Sequence, residues 1–457
     1  MTRIRRLGRG VAETLGGRSR ASTVLVLAAV LALNSADGGA LGAVAPSLKR
    51  TFSLTNGDIG LISAVVSIAG AVATLPAGVL TDRICRTRLL AGSVAVWSAA
   101  MVVAGAAASF TMLLAGRVFL GVVTATAGPV TASIIGDLYD RHDRGRIYSW
   151  IDTGDLLGIG AGFLIVGSII AFLSWRWVFF FLAFAGVLLA WPLWRLPEPS
   201  RRTGPSRRTG PDRTGGPSEP EVSLLEAVRY VLAVRTNVVV ILASTIGYFF
   251  LSGLSVFAVV FAIGQYGISH ATASFLIPTI GVGAIAGMVV GGHVGDHLYQ
   301  RGRRSARFIV GAGGFFITAL VTIPAVLTHR LAVAVPLLTL GTFGLAAPNP
   351  PMDAIRLDII HPALWGRAES VRTVLRTGGQ ATAPLLFGFL SDHIAGGGHR
   401  GLQLTIILML PALLANAVLL LVASRTYPRD VAAVEAALSR HGPVTHPASP
   451  NPALADG

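Results

Sequence analysis

Gly78 to Arg88 reads GVLTDRICRTR, and it closes an uncharged run of some twenty residues with one carboxylate and three guanidiniums. The figure returns at Gly292 to Arg304, GHVGDHLYQRGRR, where a glycine, an aspartate four residues later and then arginines again end an apolar stretch. Gly78 to Gly292 and Asp82 to Asp296 share one offset of 214 residues. Apolar runs that end twice in arginines, at a common spacing, indicate a chain that crosses a bilayer repeatedly and is built from two similar halves.

The rest of the chain agrees. Its 457 residues are 53% hydrophobic and 13% charged, about half the roughly 25% charge of a soluble domain, and the mean hydropathy is +0.67. Apolar stretches near the roughly 20 residues needed to span a bilayer recur from end to end. They fall near 22–46, 57–80, 89–109, 111–135, 148–171, 177–195, 237–262, 271–295, 306–328, 331–350, 370–391 and 402–424. The expected fold is therefore all-α and integral to the membrane, with twelve transmembrane helices in two six-helix pseudo-repeats and both termini on one side.

The net charge of +15 is distributed as a topology signal. Arginines gather at the N-terminus (Arg3, Arg5, Arg6, Arg9, Arg18, Arg20) and in alternate loops at 83–88, 141–146, 201–213 and 301–307, whereas the other loops hold few charges, such as Lys49, Arg176 and Arg330. This positive-inside pattern places both termini in the cytoplasm of a multi-pass protein of the cell membrane. The basic residues are scattered over short loops, not gathered in a folded module, which excludes a nucleic-acid partner. The basic start followed by VLVLAAVLALNSA resembles a signal peptide, but Asn34 stands where a small residue is wanted for cleavage after Ala36, so an uncleaved first helix is expected. A lone cysteine, Cys85, leaves no disulfide framework and no cysteine metal cluster.

Pro197 to Glu221, PEPSRRTGPSRRTGPDRTGGPSEPE, contains SRRTGP twice and cannot bury apolar surface, so it reads as a tether that divides the spans six and six. The expected organisation is a basic N-terminus at 1–21, a helix bundle at 22–195, a linker at 196–236, a second bundle at 237–424 and a largely disordered tail at 425–457. Within the linker, SLLEAVRYVLAVR (223–235) is expected to lie as a helix along the membrane, with Glu226 and Arg229 three apart. A second repeat mark supports the division. Asp137 and Asp358 each precede a glycine by eight residues and an arginine by nine, at an offset of 221.

These residues resemble the major facilitator superfamily. Its loop motif is matched by Gly78, Leu80, Asp82, Arg83 and Arg86, with Cys85 where glycine is expected and Thr87 where a base is usual. Its fourth-helix motif is matched by Arg117 and Gly121 in GRVFLGVV, and SWRWVFFF (174–181) is a further signature. A narrower resemblance is to the spinster-like branch, through LNSADGGALGAVAPSLKRTFSLTNGDIGLI and GPVTASIIGDLY. That branch is associated with lysolipid and sphingoid phosphate transport, and it usually carries Asp-Arg in the first helix and a glutamate in the fourth. Here Asp37 is retained, Gly38 replaces the arginine and Thr124 occupies the glutamate position. The resemblance implies a conformational latch built from Gly78, Asp82, Arg83 and Arg86, with Asp137 as a local partner and Asp296 and Asp358 as the repeat's counterparts. The alternative is that these charges only anchor topology.

Charges inside spans are costly, about 2.5–3.5 kcal/mol for an aspartate at a helix centre, and so point to function. Asp37 lies roughly 22 Å along the first helix, beside Gly38 and Gly39, as a candidate proton or substrate site. Asp155 lies in span five, and the 221 offset carries it onto Arg376 in span eleven. The two are expected to meet when the cytoplasmic gate is closed. Alternatively, Arg372 and Arg376, one turn apart on a face with Glu369, receive an anionic head group. GVGAIAG (281–287) and GDLLGIGAG (154–162) lie inside apolar runs and read as close-packing glycines, not nucleotide loops. Without HExxH, GxSxG or Walker patterns, no enzyme, metal or cofactor is implied.

The expected function is secondary transport of an amphipathic small organic molecule, drug-like or lysolipid-like. The transport is expected to work by alternating access, coupled to protons and directed outward, in a monomer embedded in the lipid bilayer. A non-transporting membrane sensor on the same fold is the alternative.

Overall fold

The computed structural model describes residues 17–139, 144–198, 229, 231–303, 305–360, 365–394 and 397–440. The six helices or helix pairs of the first half are α1 (Arg18–Phe52), α2 (Asn56–Arg83), α3 (Arg86–Gly105), α4 (Phe110–Thr124) with α5 (Ala127–Leu138), α6 (Arg144–Ile170) and α7 (Arg176–Arg195). The second half repeats the plan with α8 (Arg235–Tyr266), α9 (His270–Gln300), α10 (Ala306–Leu327), α11 (Leu331–Ala346) with α12 (Asn349–Ile359), α13 (Trp365–His393) and α14 (Gly398–Ala423). A last helix, α15 (Tyr427–Arg440), follows.

Among the described residues, eleven of these crossings are long and apolar enough to span a membrane by length and hydropathy. The twelfth, α13, has 29 residues, which is ample length, but Arg372, Arg376 and its threonines dilute its hydropathy. Large apolar side chains face outward along the bundle, with Leu157 63% and Phe184 60% exposed. That is the reverse of a soluble fold and what lipid requires. Successive crossings alternate in direction, so one end of the bundle, the near end, holds both described termini, and the other is the far end.

Crossings four and ten are each broken. The breaks fall at Ala125–Thr126 and Ala347–Pro348. Pro129 and Pro350, 221 residues apart, each lack the N–H that would continue the ladder. The expected tail departs from the structure in part. Residues 427–440 form a helix because Tyr427 packs edge-on to Phe308 at 5.2 Å and the Asp430 carboxylate accepts from the Thr236 N–H at 3.1 Å. The linker and most of its expected helix, and the tail beyond 440, lie outside the described residues.

Glycines set the spacing of the helices. Gly154, Gly158 and Gly162 of α6 lie against the backbones of Ala28, Ala32 and Ala36 of α1, and Gly283, Gly287 and Gly291 of α9 lie against Thr339, Phe343 and Ala347 of crossing ten. A β-carbon at Gly158 would overlap the Ala32 carbonyl, whereas one at Gly160 would meet only Pro278 at 3.9 Å. Gly158→Ala is therefore expected to destabilise by about 1–3 kcal/mol through overpacking. Gly160→Ala should be neutral or stabilising, and thermal melting in detergent compares the two. An equal melting temperature for Gly158→Ala and the wild type would contradict the packing argument.

Candidate functional site

The charges sort into three levels. At the near end, Arg86 starts α3 and is 1% exposed. Its Nη1 donates to Asp137 at 2.5 Å and to Ser133 at 2.8 Å, and its Nε donates to Glu198 at 2.7 Å. Glu198, just beyond α7, also accepts from the Thr87 N–H at 3.0 Å. Burial raises the Glu198 pKa, but the bonds from Arg86, Thr87 and Cys85 and the Arg86 charge outweigh it and hold the carboxyl at about 2. The second half mirrors this cluster: Arg307 pairs with Asp358 at 2.6 Å and Asp296 at 2.9 Å. The 221 offset carries Arg86 onto Arg307 as well as Asp137 onto Asp358. Tyr427 of α15 donates to Asp358 at 2.6 Å, and burial together with that carboxylate pushes the phenol pKa up.

Of the residues expected to form the latch, Arg86, Asp137, Asp296 and Asp358 thus sit in two ion clusters, each within its own half. Arg83 ends α2 in an exposed position, and the surroundings of Gly78 and the Asp82 side chain lie outside what the structure describes.

At mid-depth, Asp37 and Arg117 form a sealed pair. Arg117 Nη1 donates to both Asp37 oxygens, at 2.9 and 2.8 Å, and the side chains are 2% and 6% exposed. The guanidinium carbon lies 5.2 Å from the centre of the Phe179 ring, and Nε and Nη2 have no hydrogen-bond partner. One nitrogen therefore serves both oxygens while two buried donors stand idle, an arrangement that costs about 1–3 kcal/mol per orphan. Gly121, the other fourth-helix residue, packs without a side chain against Val66 of α2.

Nearer the axis, Asp155 accepts from the Ser35 hydroxyl and feels the charge of Arg376 without a hydrogen bond to it. Arg376 stacks on Tyr248 at 4.7 Å and its Nε lacks a partner. Arg372, one turn away, donates to Asp353 at 3.4 Å and lies 3.5 Å from the Ser244 hydroxyl. Of the two arginines expected on one face, Arg372 is thus tied to an acid of crossing ten. Glu369 lies outside the described side chains.

The far end is where the halves join. The Asn56 and Gly57 N–H groups of α2 donate to Asp392 of α13 at 3.0 and 2.6 Å, and Asn56 Nδ2 donates to the Ser391 hydroxyl at 2.8 Å. His270 reaches the Ala43 carbonyl, and Gly60 and Gly388 let the two backbones touch. The bundle is thus closed at the far end. The sequence reading missed Asp392, although a signal was present: GFLSDH at 388–393 repeats GVLTDR at 78–83.

Comparison with known proteins places this geometry. The Probable L-galactonate transporter of Escherichia coli K12 is 24% identical over 173 residues, 38% of this chain and 38% of that protein. Protein spinster of Drosophila melanogaster is 28% identical over 187 residues, 40% of this chain and 31% of that protein. These matches span about a third of the relatives' length. The crystal structure of a bacterial homolog to the human lysosomal transporter Spinster, in an inward-facing and unoccupied conformation, superposes with a TM-score of 0.79 at 22% identity, covering 90% of this chain and 98% of that one. That likeness establishes the fold. These relatives are transporters, not enzymes, and the Major Facilitator Superfamily profile matches residues 27–384. The chain belongs to the Major Facilitator Superfamily of secondary transporters, with a likeness to its spinster members.

Proposed function

We propose that the protein is a proton-coupled carrier of an amphipathic organic molecule with an anionic group, working as a monomer by alternating access in the cytoplasmic membrane. The observation that carries this reading is the separation of two kinds of charge. Asp37 and Arg117 form a sealed, neutral pair suited to loading a proton, while Arg376 stands stacked on Tyr248 with an idle donor, suited to a carboxylate or phosphate. The likeness to a transporter named for galactonate supports an anionic cargo, and the likeness to spinster supports an amphipathic one. Arginines at the near end support its placement in the cytoplasm, which makes the far-end-closed state inward-facing. Export is the direction proposed, with protons entering through Asp37 as cargo leaves. Asp155 and Arg376 then approach and pair when the near end closes.

Proteoliposomes with a trapped pH dye test this, challenged with lysophospholipids, sugar acids and amphipathic drugs. The expected result is proton movement with an anionic compound, little with its neutral analogue, and a loss of about tenfold or more in apparent affinity for the anion in Arg376→Gln. Equal responses to both analogues, unchanged in Arg376→Gln, would remove the anionic cargo.

A further inference from the structure

α2 and α13 run antiparallel, one from each half. The first turn of any helix leaves four N–H groups without intrahelical partners. In α2 a capping box serves two of the donors at this end: the Thr55 N–H donates to Asp58 at 2.9 Å and the Asp58 N–H to the Thr55 hydroxyl at 3.1 Å. The next two, on Asn56 and Gly57, are served by Asp392 from the opposite half. Asn56 is 0% exposed and is held on both sides, by Ser391 at 2.8 Å and by Lys49 Nζ at 2.5 Å. The contact is fitted closely. A β-carbon at Gly57 would lie 3.0 Å from an Asp392 oxygen, and one at Gly60 or Gly388 would overlap the facing backbone. Asp392 stands one residue before the end of its own helix, where the macrodipole disfavours an anion, and is compensated by the positive end of α2.

We propose that Asp392 is the far-end gate residue, an anion that caps the partner half's helix when the far end is closed and must release it for the far end to open. Charge-assisted bonds to backbone N–H groups are the strong kind, and two of them are broken together. The sequence that closes α13, GFLSD at 388–392, has its like in GVLTD at 78–82, which closes α2 at the other end of the pair. α2 ends at Arg83 with Asp82 one residue before its end, as α13 ends at His393 with Asp392 one residue before. Asp82 is therefore placed at the end of the pair where α13 begins. Because rocking that separates the far ends of the pair brings the near ends together, the Asp392 cap acts as a stop in one direction of the motion, and the position of Asp82 suits a stop in the other. The device rests on the rocking of the halves and does not depend on what is carried.

The test uses the full chain in nanodiscs with Cys85→Ser and paired spin labels. One pair spans the far end, at Phe172 and His399, and the other the near end, at Arg88 and Arg301; all four positions are exposed. Asp392→Asn is expected to lower the closed-to-open ratio at the far end by about tenfold or more, with a matching gain in closed near end. Asp392→Glu should restore part of it, and Asp82→Asn should shift both distances the opposite way. If Asp392→Asn does not fold, Gly57→Ala, whose β-carbon would crowd the capping Asp392 oxygen at 3.0 Å, is expected to shift both distances in the same sense by less. A wild type in which neither distance ever changes overturns the rocking itself. A wild type that interconverts while Asp392→Asn or Gly57→Ala matches it, or loosens both ends alike, overturns the cap alone.

Discussion

Asp37→Asn is expected to abolish proton-coupled transport. Asp37 is 4% exposed and the only ionic partner of Arg117 among the described residues, and Arg117 is itself 1% exposed. Removing the charge leaves a guanidinium buried without its counter-ion, which costs about 3–5 kcal/mol. Loss of transport alone would not separate coupling from folding. The double variant Asp37→Asn with Arg117→Met removes both charges and is expected to recover most of the stability, because a buried ion pair is replaceable by apolar volume. Proton movement should stay absent in the double variant, since no titratable group remains at that depth of the pair. Dye-loaded proteoliposomes and a melting curve on each variant read the two effects separately. Coupled transport retained by either variant would reject Asp37 as the proton site.

The largest expected loss of stability outside the mid-depth pair is that of Arg86→Gln. This one side chain, 1% exposed, ties α3 to Asp137 on α5 and to Glu198 beyond α7. Glutamine cannot neutralise Asp137, whose side chain is 7% exposed, so the change is expected to cost about 3–5 kcal/mol. The mirror variant Arg307→Gln should cost less, because Asp296 and Asp358 are 56% and 30% exposed and water takes over part of the loss. Glu198 adds a pH signature. With its pKa held at about 2 against an ordinary 4.5, its contribution is present above pH 4.5 and is lost as the pH falls toward 2. Melting temperatures of wild type and Glu198→Gln should therefore converge on acidification. A gap that persists below that window would show that Glu198 acts through packing.

The crossings were legible because lipid imposes one rule on every span, a run of apolar residues of fixed length, and that rule survives in composition alone. Asp37 stood out for the same reason, as a charge where none is tolerated without a partner. Its partner did not, because Arg117 lies 80 residues away and no periodicity links the two; it was visible only as part of a family motif. Asp137 and Asp358 of the near-end clusters were marked by their 221 offset and Asp296 by the 214 offset, but the matching of Arg86 with Arg307 was hidden. The loop motifs align at 214, and the second loop carries seven more residues before its paired arginine. Asp392 was passed over because it closes an apolar run beside a glycine-rich loop, where a charge ordinarily marks the water boundary. Only the facing N–H groups of α2 distinguish it, and those belong to a helix more than 300 residues earlier in the chain.

The mid-depth pair has no twin. The 221 offset that reproduces the near-end clusters carries Asp37 onto Ala258 and Arg117 onto Leu338. The near-end framework is thus present in both halves, and the mid-depth acid and base in one. On the proton-coupled reading, a carrier with a single such pair exchanges one proton there per turnover. The proton taken there then contributes the first power of the proton activity ratio and one unit of membrane voltage to the concentration ratio, and a cargo that leaves as a monoanion adds one unit of voltage of its own. A stronger pump on this scaffold would need a second acid and base written into positions 258 and 338.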